Sequence, residues 1–377
     1  MKIGVLGAGI AGLSLAYHLK IRGHEVHLYD RGALVAGNTS RAAGILTFLL
    51  DHDEDLEAVQ RARRLYATAE EKSHGIFRFR KTGLVRLARS DASARALDAV
   101  YRRVRDAGLP VQPGLPPGFP RPQGLQKALF SPEDGYVDPS AFALALYTFF
   151  RATQTPVHLY EAVEHLHLRA DGVEVHTRYR RETYDLVVLA LGVWTARFLQ
   201  ATLQKPLPLK PYRAQAARLV LPERLPGLYD MDSGVYWIPE STGQYIVGDG
   251  TQVGEFQPDA FPEQADEAFF QEVAGVLGDL FPAFADTARL GRGWAGLLAG
   301  TPDRFPLAGP YPGVENLWIF TGFNGYGIMR APGYAELLAP ALHEGREPPP
   351  FLSLRRFPRL DLDFTPGPGF PPLASGV

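Results

Sequence analysis

The sequence predicts an α/β fold of about two domains, and three observations carry that expectation. Residues 2–6 (KIGVL) form a short apolar run of the kind a strand covered on both faces needs. A glycine-rich turn, GAGIAG, follows it, then helix-compatible Leu13, Leu15, Ala16, Leu19 and Ile21, a stop at Gly23, and a second strand-like run, EVHLY, at 25–29. The chain has 377 residues, 46% of them hydrophobic and 21% charged, which is enough apolar surface for a sizeable core and rules out disorder over most of the length.

Composition also excludes several function classes. Lys and Arg number 39 against 41 Asp and Glu, a formal net charge of -2, so no basic field exists to attract nucleic acid. There is no cysteine, which removes disulfides, zinc–thiolate sites, iron–sulfur clusters and a thiol nucleophile. No apolar stretch of about 20 residues is present, so no membrane span is expected. Lys2 leads straight into the first strand rather than into an export signal, and a cytoplasmic location is the expectation.

The GAGIAG turn places glycines at Gly7, Gly9 and Gly12. Gly7 permits the tight turn, Gly9 lets a pyrophosphate approach the backbone, and Gly12 lets the helix pack closely on the sheet. The amides of Ile10 and Ala11 sit at the positive end of that helix and suit phosphates. Asp30 ends the second strand 18 residues beyond Gly12, where a carboxylate can accept from an adenosine ribose. An acid there favours a free ribose, so this motif predicts FAD or NAD rather than NADP and leaves those two open.

Seven further segments narrow the choice: GNTSRAAGIL (37–46), GYVDPSAFALAL (135–146), DLVVLALGVWTARFL (185–199), PYRAQ (211–215), GVYWIPESTGQYIVGDGT (234–251), WAGLLAGTPDRFPLAGP (294–310) and NLWIFTGFNGYGIMRAPGYAELLA (316–339). In this order they resemble the D-amino-acid oxidase, glycine oxidase and sarcosine oxidase family of flavoproteins, from residue 3 to about 345.

The resemblance implies a Rossmann-like FAD-binding domain of the glutathione-reductase type, with an inserted α+β substrate domain on an antiparallel sheet. The FAD domain would comprise 1–76, 132–204 and 301–347, and the substrate domain 77–131 and 205–300. Gly7, Gly9, Ile10, Ala11 and Gly12 would hold the pyrophosphate, with Asp30, Arg31 and Val163 near the adenosine. Ser40, Arg41, Ala42, Ala43 and Gly44 would lie along the ribityl chain and ring. Gly192 and Trp194 would approach the cofactor, and Gly322, Phe323, Asn324, Gly325, Tyr326, Gly327, Ile328 and Met329 would pass close to the flavin. The last segment also reads by itself as a strand, a loop of three glycines and a helix with Pro332 in its first turn and Gly345 at its stop. Its N-terminus would stabilise negative charge on a reduced ring. FAD is expected to be non-covalent, because no cysteine exists and Arg41 stands where some relatives carry a linking histidine.

Outside these segments, PVQPGLPPGFPRPQG (110–124) reads as a surface loop and the proline-rich stretch 348–377 as an extended tail. Tyr212–Leu221 and Val235–Val247 read as strand-like runs of the insert. ARALDAVYRRVRDAG carries Leu97, Val100, Tyr101 and Val104 at core spacing, so its arginines form a solvated face. Asp51, Asp53, Glu54 and Asp55 read as helix-start charge. His165 and His167 share one face of a strand without a third ligand, and no metal site is expected.

A flavin that oxidises an amine to an imine needs orientation, charge and dryness from the protein, and no acid/base side chain is required. By the resemblance, glycine and D-amino-acid oxidases clamp the substrate carboxylate with arginine, but Leu298 and Gly325 stand at those positions here. Tyr236 matches a tyrosine facing the substrate, and Arg330 and Arg41 are the remaining candidate anchors. All seven lysines (Lys2, Lys20, Lys72, Lys81, Lys127, Lys205, Lys210) precede the segment where sarcosine-type oxidases activate oxygen, and Ile246 occupies that strand position. The electron acceptor is therefore open between oxygen and another acceptor. The expected partner is a small amine or amino acid. The rival readings are an NAD-dependent dehydrogenase and a flavin-binding subunit of a multi-component dehydrogenase.

Overall fold

The computed structural model describes residues 1–250, 252–255, 257–284 and 286–365. Its first sheet has six strands in the order Leu307–Tyr311, Val314–Thr321, Leu186–Leu189, Lys2–Leu6, Glu25–Tyr29 and Val157–His158. All neighbours pair in parallel except the first two, which form an antiparallel hairpin. The helix Ile10–Lys20 follows the glycine turn and is buried along nearly its whole length, against the sheet and against the final helix, Gly327–Glu344. That helix also packs on Asp53–Lys72. The close packing has a sequence cause: a Cβ at Gly12 would run into the carbonyl of Gly7, and Gly7 itself turns at φ +112° against Ala190.

The second large sheet has nine strands among the described residues. They come from 84–131 (Leu84–Ala88, Gln112–Pro113, Lys127–Ser131) and from 210–300 (Lys210–Val220, Gly227–Asp230, Tyr236–Ser241, Gln244–Gly248, Gln252–Glu255, Arg289–Gly300). Pairing is antiparallel throughout except where the two stretches meet, since Gly227–Asp230 runs parallel to Leu84–Ala88. The long strand Lys210–Val220 pairs with Arg289–Gly300 on one edge, in a register that sets Tyr212 opposite Leu298 and Ala216 opposite Trp294. Behind this sheet a separate core of Trp237, Val247, Val273 and Phe281 takes in the helix Glu267–Leu280.

Four expectations change in detail. The run 235–247 is two strands joined by a turn at Gly243, whose φ is +70°. The loop 110–124 contributes Gln112–Pro113 as an edge strand, a position where proline is tolerated. Pro332 falls in the second turn of its helix, which starts earlier, at Gly327. The tail is not simply extended: Leu352 and Leu354 are fully buried, the Leu352 carbonyl accepts from Ala308 N at 2.8 Å, and Leu354–Arg356 forms a 3-10 turn. Residues 366–377 of that tail lie outside the described residues.

Candidate cofactor and substrate cavity

A cavity of about 910 Å³ lies between the two sheets. Gly7, Gly9, Ile10 and Ala11 line one end with Asp30, Arg31 and Val163. Thr39, Arg41, Ala42, Ala43 and Gly44 continue the wall, with Gly192 and Trp194 across from them. The other end is lined by Tyr236 and Trp294, by Leu297 and Leu298, and by Phe323, Asn324, Gly325, Tyr326, Gly327, Ile328 and Met329.

The end at the glycine turn is built from backbone. The first helix begins at Ile10, so its opening amides lack intrahelical acceptors and aim at the cavity. Thr39 Oγ1 accepts from Ile10 N at 3.1 Å, which ties the segment 37–44 to this helix end. Asp30 accepts from Ala8 N and from Gly32 N, each at 2.8 Å. The carboxylate that the sequence suggested for a ribose thus also staples the glycine turn to the second strand. Each of its oxygens keeps a further lone pair for a hydroxyl. Thr39 was not singled out by the sequence, although it lies inside the TSRAAG segment.

Across the cavity runs an acidic strap, residues 257–266. Asp259 gathers three donors: Arg31 at 2.7 Å, Arg197 at 2.8 Å and the Trp194 indole at 2.9 Å. Burial pulls the Asp259 carboxyl up, but the hydrogen bonds from Arg31 and Trp194 and the two guanidinium charges outweigh it and hold it below the usual range. Glu263 pairs with Arg41 at 2.7 Å, and Arg41 also lies over the Phe261 ring at 5.4 Å. Fully buried Arg213 anchors the strap, donating to Asp266 at 2.8 Å and to the Pro262 carbonyl at 2.9 Å. No motif in the sequence marks Asp259 or Glu263.

The opposite end is apolar. Leu298 and Gly325 face each other, so that a Cβ placed on Gly325 would sit 3.2 Å from Leu298 Cδ1. Asn38 Oδ1 accepts from Leu297 N at 2.9 Å and holds this strand against the segment 37–44. Burial raises the Tyr236 phenol above its ordinary pKa, and the nearby Asp249 carboxylate adds to the shift.

Four residues named from the sequence do not line the cavity: Gly12, Ser40, Gly322 and Arg330. Gly12 serves the helix–strand contact instead. Ser40 turns its hydroxyl to the Gly37 carbonyl at 3.1 Å, and Gly322 takes a φ of +81° beside Thr301. The substantive correction is Arg330. Its guanidinium is buried, ion-paired with Asp55, donates to the Arg304 carbonyl at 2.9 Å and lies 4.2 Å from the Tyr326 ring centroid. Tyr334 donates to the same Asp55 at 3.0 Å. Arg330 therefore ties the final helix to Asp53–Lys72 and does not line the cavity, which speaks against its place as a substrate anchor.

Among the described residues no group of three or more His, Asp or Glu is placed to hold a metal ion, and no helix is long and apolar enough to cross a membrane.

The comparisons with known proteins agree with this geometry. Dimethylglycine dehydrogenase of Mus musculus is 27% identical over 375 residues, covering 92% of this chain and 42% of that protein. Glycine oxidase of Geobacillus kaustophilus is 26% identical over 347 residues, covering 88% and 89%. The chain thus spans less than half the length of the dimethylglycine dehydrogenases it matches. The solved L-proline dehydrogenase from P. horikoshii superposes with a TM-score of 0.83 at 23% identity, covering 92% of this chain and 94% of that one, and shares the fold. The family model described as DAO, FAD dependent oxidoreductase, matches residues 2–341, taking in the glycine turn, the segment 37–44, both large sheets and most of the final helix. With that match and a cavity shaped around a nucleotide-binding turn, the chain belongs to the family of FAD-dependent oxidoreductases.

Proposed function

We propose that the chain oxidises the C–N bond of an amine or amino acid to an imine, with FAD held non-covalently in the cavity between the sheets. One observation carries the reading: the glycine turn and a largely apolar wall that includes Tyr236 and Leu298 line one cavity of about 910 Å³. The relatives add the chemistry by name, glycine oxidase and 4-methylaminobutanoate oxidase among them.

The Ala11 amide at the helix start would take the pyrophosphate, with the Ile10 amide held by Thr39 Oγ1, and the remaining acceptor capacity of Asp30 would take the ribose. Bound FAD would supply a two-electron acceptor, so that the substrate carbon loses a hydride and its nitrogen a proton. The remaining work falls to the chain. The start of the helix at Gly327 presents its positive end to the cavity, which favours negative charge on a reduced ring. Leu297, Leu298, Trp294 and Met329 exclude water from the reacting carbon. The Tyr236 hydroxyl, kept protonated by burial, is a donor or acceptor for the substrate.

We assign the FAD domain to 1–76, 132–204 and 301–347 and the substrate domain to 77–131 and 205–300. The distribution of strands between the two large sheets supports this division. Among the described residues no lysine lines the cavity, and the others contain none. That supports an electron acceptor other than lysine-activated oxygen. The NAD reading is set aside, since the family is FAD-dependent.

The test is an anaerobic panel of amines and amino acids added to the purified yellow protein, with flavin absorbance recorded. Bleaching by at least one member is expected. No bleaching by any, with dithionite still reducing the flavin, would favour a cofactor-binding subunit.

A further inference from the structure

We infer that the oxidised compound is an amine without a carboxylate, its hydrocarbon flank resting on the wall formed by Leu298 and Gly325. The inference rests on the C–N reading above and narrows its substrate class.

The charge inventory of the cavity is the first ground. Three cations line it, Arg31, Arg41 and Arg197, and four carboxylates, Asp30, Glu161, Asp259 and Glu263, of which Glu161 is paired with Arg180 at 2.9 Å. The residues not described, together with those at 252–255, contain no Lys, Arg or His, so no further cation is hidden there. Each of the three arginines already has a carboxylate on the strap, Arg31 and Arg197 on Asp259 and Arg41 on Glu263. A bound dinucleotide adds two negative phosphates to this inventory. A substrate carboxylate would be a further anion with no unpaired partner, and burying such a charge is strongly unfavourable.

The second ground is the wall itself. Leu298 and Gly325 come from separate elements, the strand Arg289–Gly300 and the loop before the final helix, yet they meet face to face. Arg330, the nearest cation on the final helix, is held by Asp55 and the Arg304 carbonyl.

Matched pairs differing only by the carboxylate test this: pyrrolidine against proline, benzylamine against phenylglycine. Each is mixed anaerobically with the FAD-loaded protein, and the bleaching rate over the apparent dissociation constant is compared. In any pair that reacts, the amine without the acid should be favoured by about 100-fold, the scale set by losing a charged hydrogen-bond partner. Calorimetry gives a readout independent of turnover, since cyclopentane carboxylate should not bind. In Leu298→Arg the preference should shift at least about tenfold toward the acid, with FAD content unchanged. Equal or faster bleaching by the acid members, or tight binding of cyclopentane carboxylate, would overturn the inference and leave C–N oxidation standing. An unshifted preference in a folded, FAD-loaded Leu298→Arg would overturn the placement on this wall. Bleaching by neither class would instead defeat the C–N reading itself.

Discussion

The two ends of the cavity are built on opposite plans. The nucleotide end is made of backbone amides, glycines and one carboxylate, Asp30, whose oxygens accept from Ala8 and Gly32. The substrate end is made of side chains from the second sheet and the final helix, and most of them are apolar. Backbone geometry accepts few residue types, whereas an apolar wall accepts many of similar volume. On the proposed function, the first end would bind one class of ligand, while the second would change its substrate by exchanging a few side chains.

The strongest break of this contrast is expected at Gly9. Its Cβ would lie 3.2 Å from Thr39 Oγ1, so a small shift accommodates the first carbon, but the branches of valine project where a pyrophosphate would sit. Gly9→Val should lose FAD by more than about 100-fold while keeping its secondary structure, as read by equilibrium dialysis and circular dichroism. Wild-type flavin content in the folded variant would refute the assignment of this end.

Arg330 separates support from contact. Arg330→Met leaves Asp55 buried without its counter-charge, with only the Tyr334 hydroxyl still donating to it, and should cost about 3–5 kcal/mol in denaturant unfolding. The double variant Arg330→Met with Asp55→Leu should recover much of that loss, because no charge is then stranded. No recovery would mean that the pair is not the source of the cost.

A smaller effect is expected at the strap. In Asp259→Asn the Arg31 and Arg197 pairs weaken, and FAD should dissociate a few-fold faster, more so at low salt. An unchanged dissociation rate would remove the strap from the cofactor's exit path.

A further effect depends on pH. Asp134 is fully buried, accepts from Thr47 Oγ1 at 2.5 Å and Phe48 N at 3.0 Å, and has its pKa raised by burial from 3.8 to about 7. A carboxyl raised in the folded state binds its proton more tightly there than in the unfolded chain. Its contribution to stability is therefore largest below about pH 4 and is lost as pH rises toward about 7. His18, lowered to about 4 by burial, has the opposite slope between that value and 6.5, so the wild-type profile alone hides both. The stability of wild type minus that of Asp134→Asn should fall between pH 4 and 7, and a flat difference would contradict the shift.

The same contrast governs what the sequence discloses. The nucleotide end was legible because its requirements are local: three glycines, a helix start and an acid at fixed spacing. The inserted sheet was legible in outline, but its single parallel junction, Gly227–Asp230 beside Leu84–Ala88, joins distant stretches and leaves no local mark. Leu298 and Gly325 read as two separate missing arginines, and only the fold brings them together as one wall. Arg330 leaves the cavity lining for a helical reason. It lies one residue past Met329, which lines the cavity, and one residue turns a helical side chain by about 100°. That rotation carries Arg330 to Asp55. Asp259 and Glu263 lie in an irregular strap with no periodic pattern, so nothing in the sequence marked them.

The central claim is that the two ends act separately, one holding FAD and the other selecting the amine. The most direct measurement takes Gly9→Val and Leu298→Arg side by side and records, for each, the FAD dissociation constant and the anaerobic bleaching rate with a reactive amine. Gly9→Val should lose FAD binding, and whatever flavin remains bound should still be bleached by the same amines as wild type. Leu298→Arg should bind FAD as wild type does and change only which amines bleach it. Parallel changes of both quantities in both variants would contradict the account.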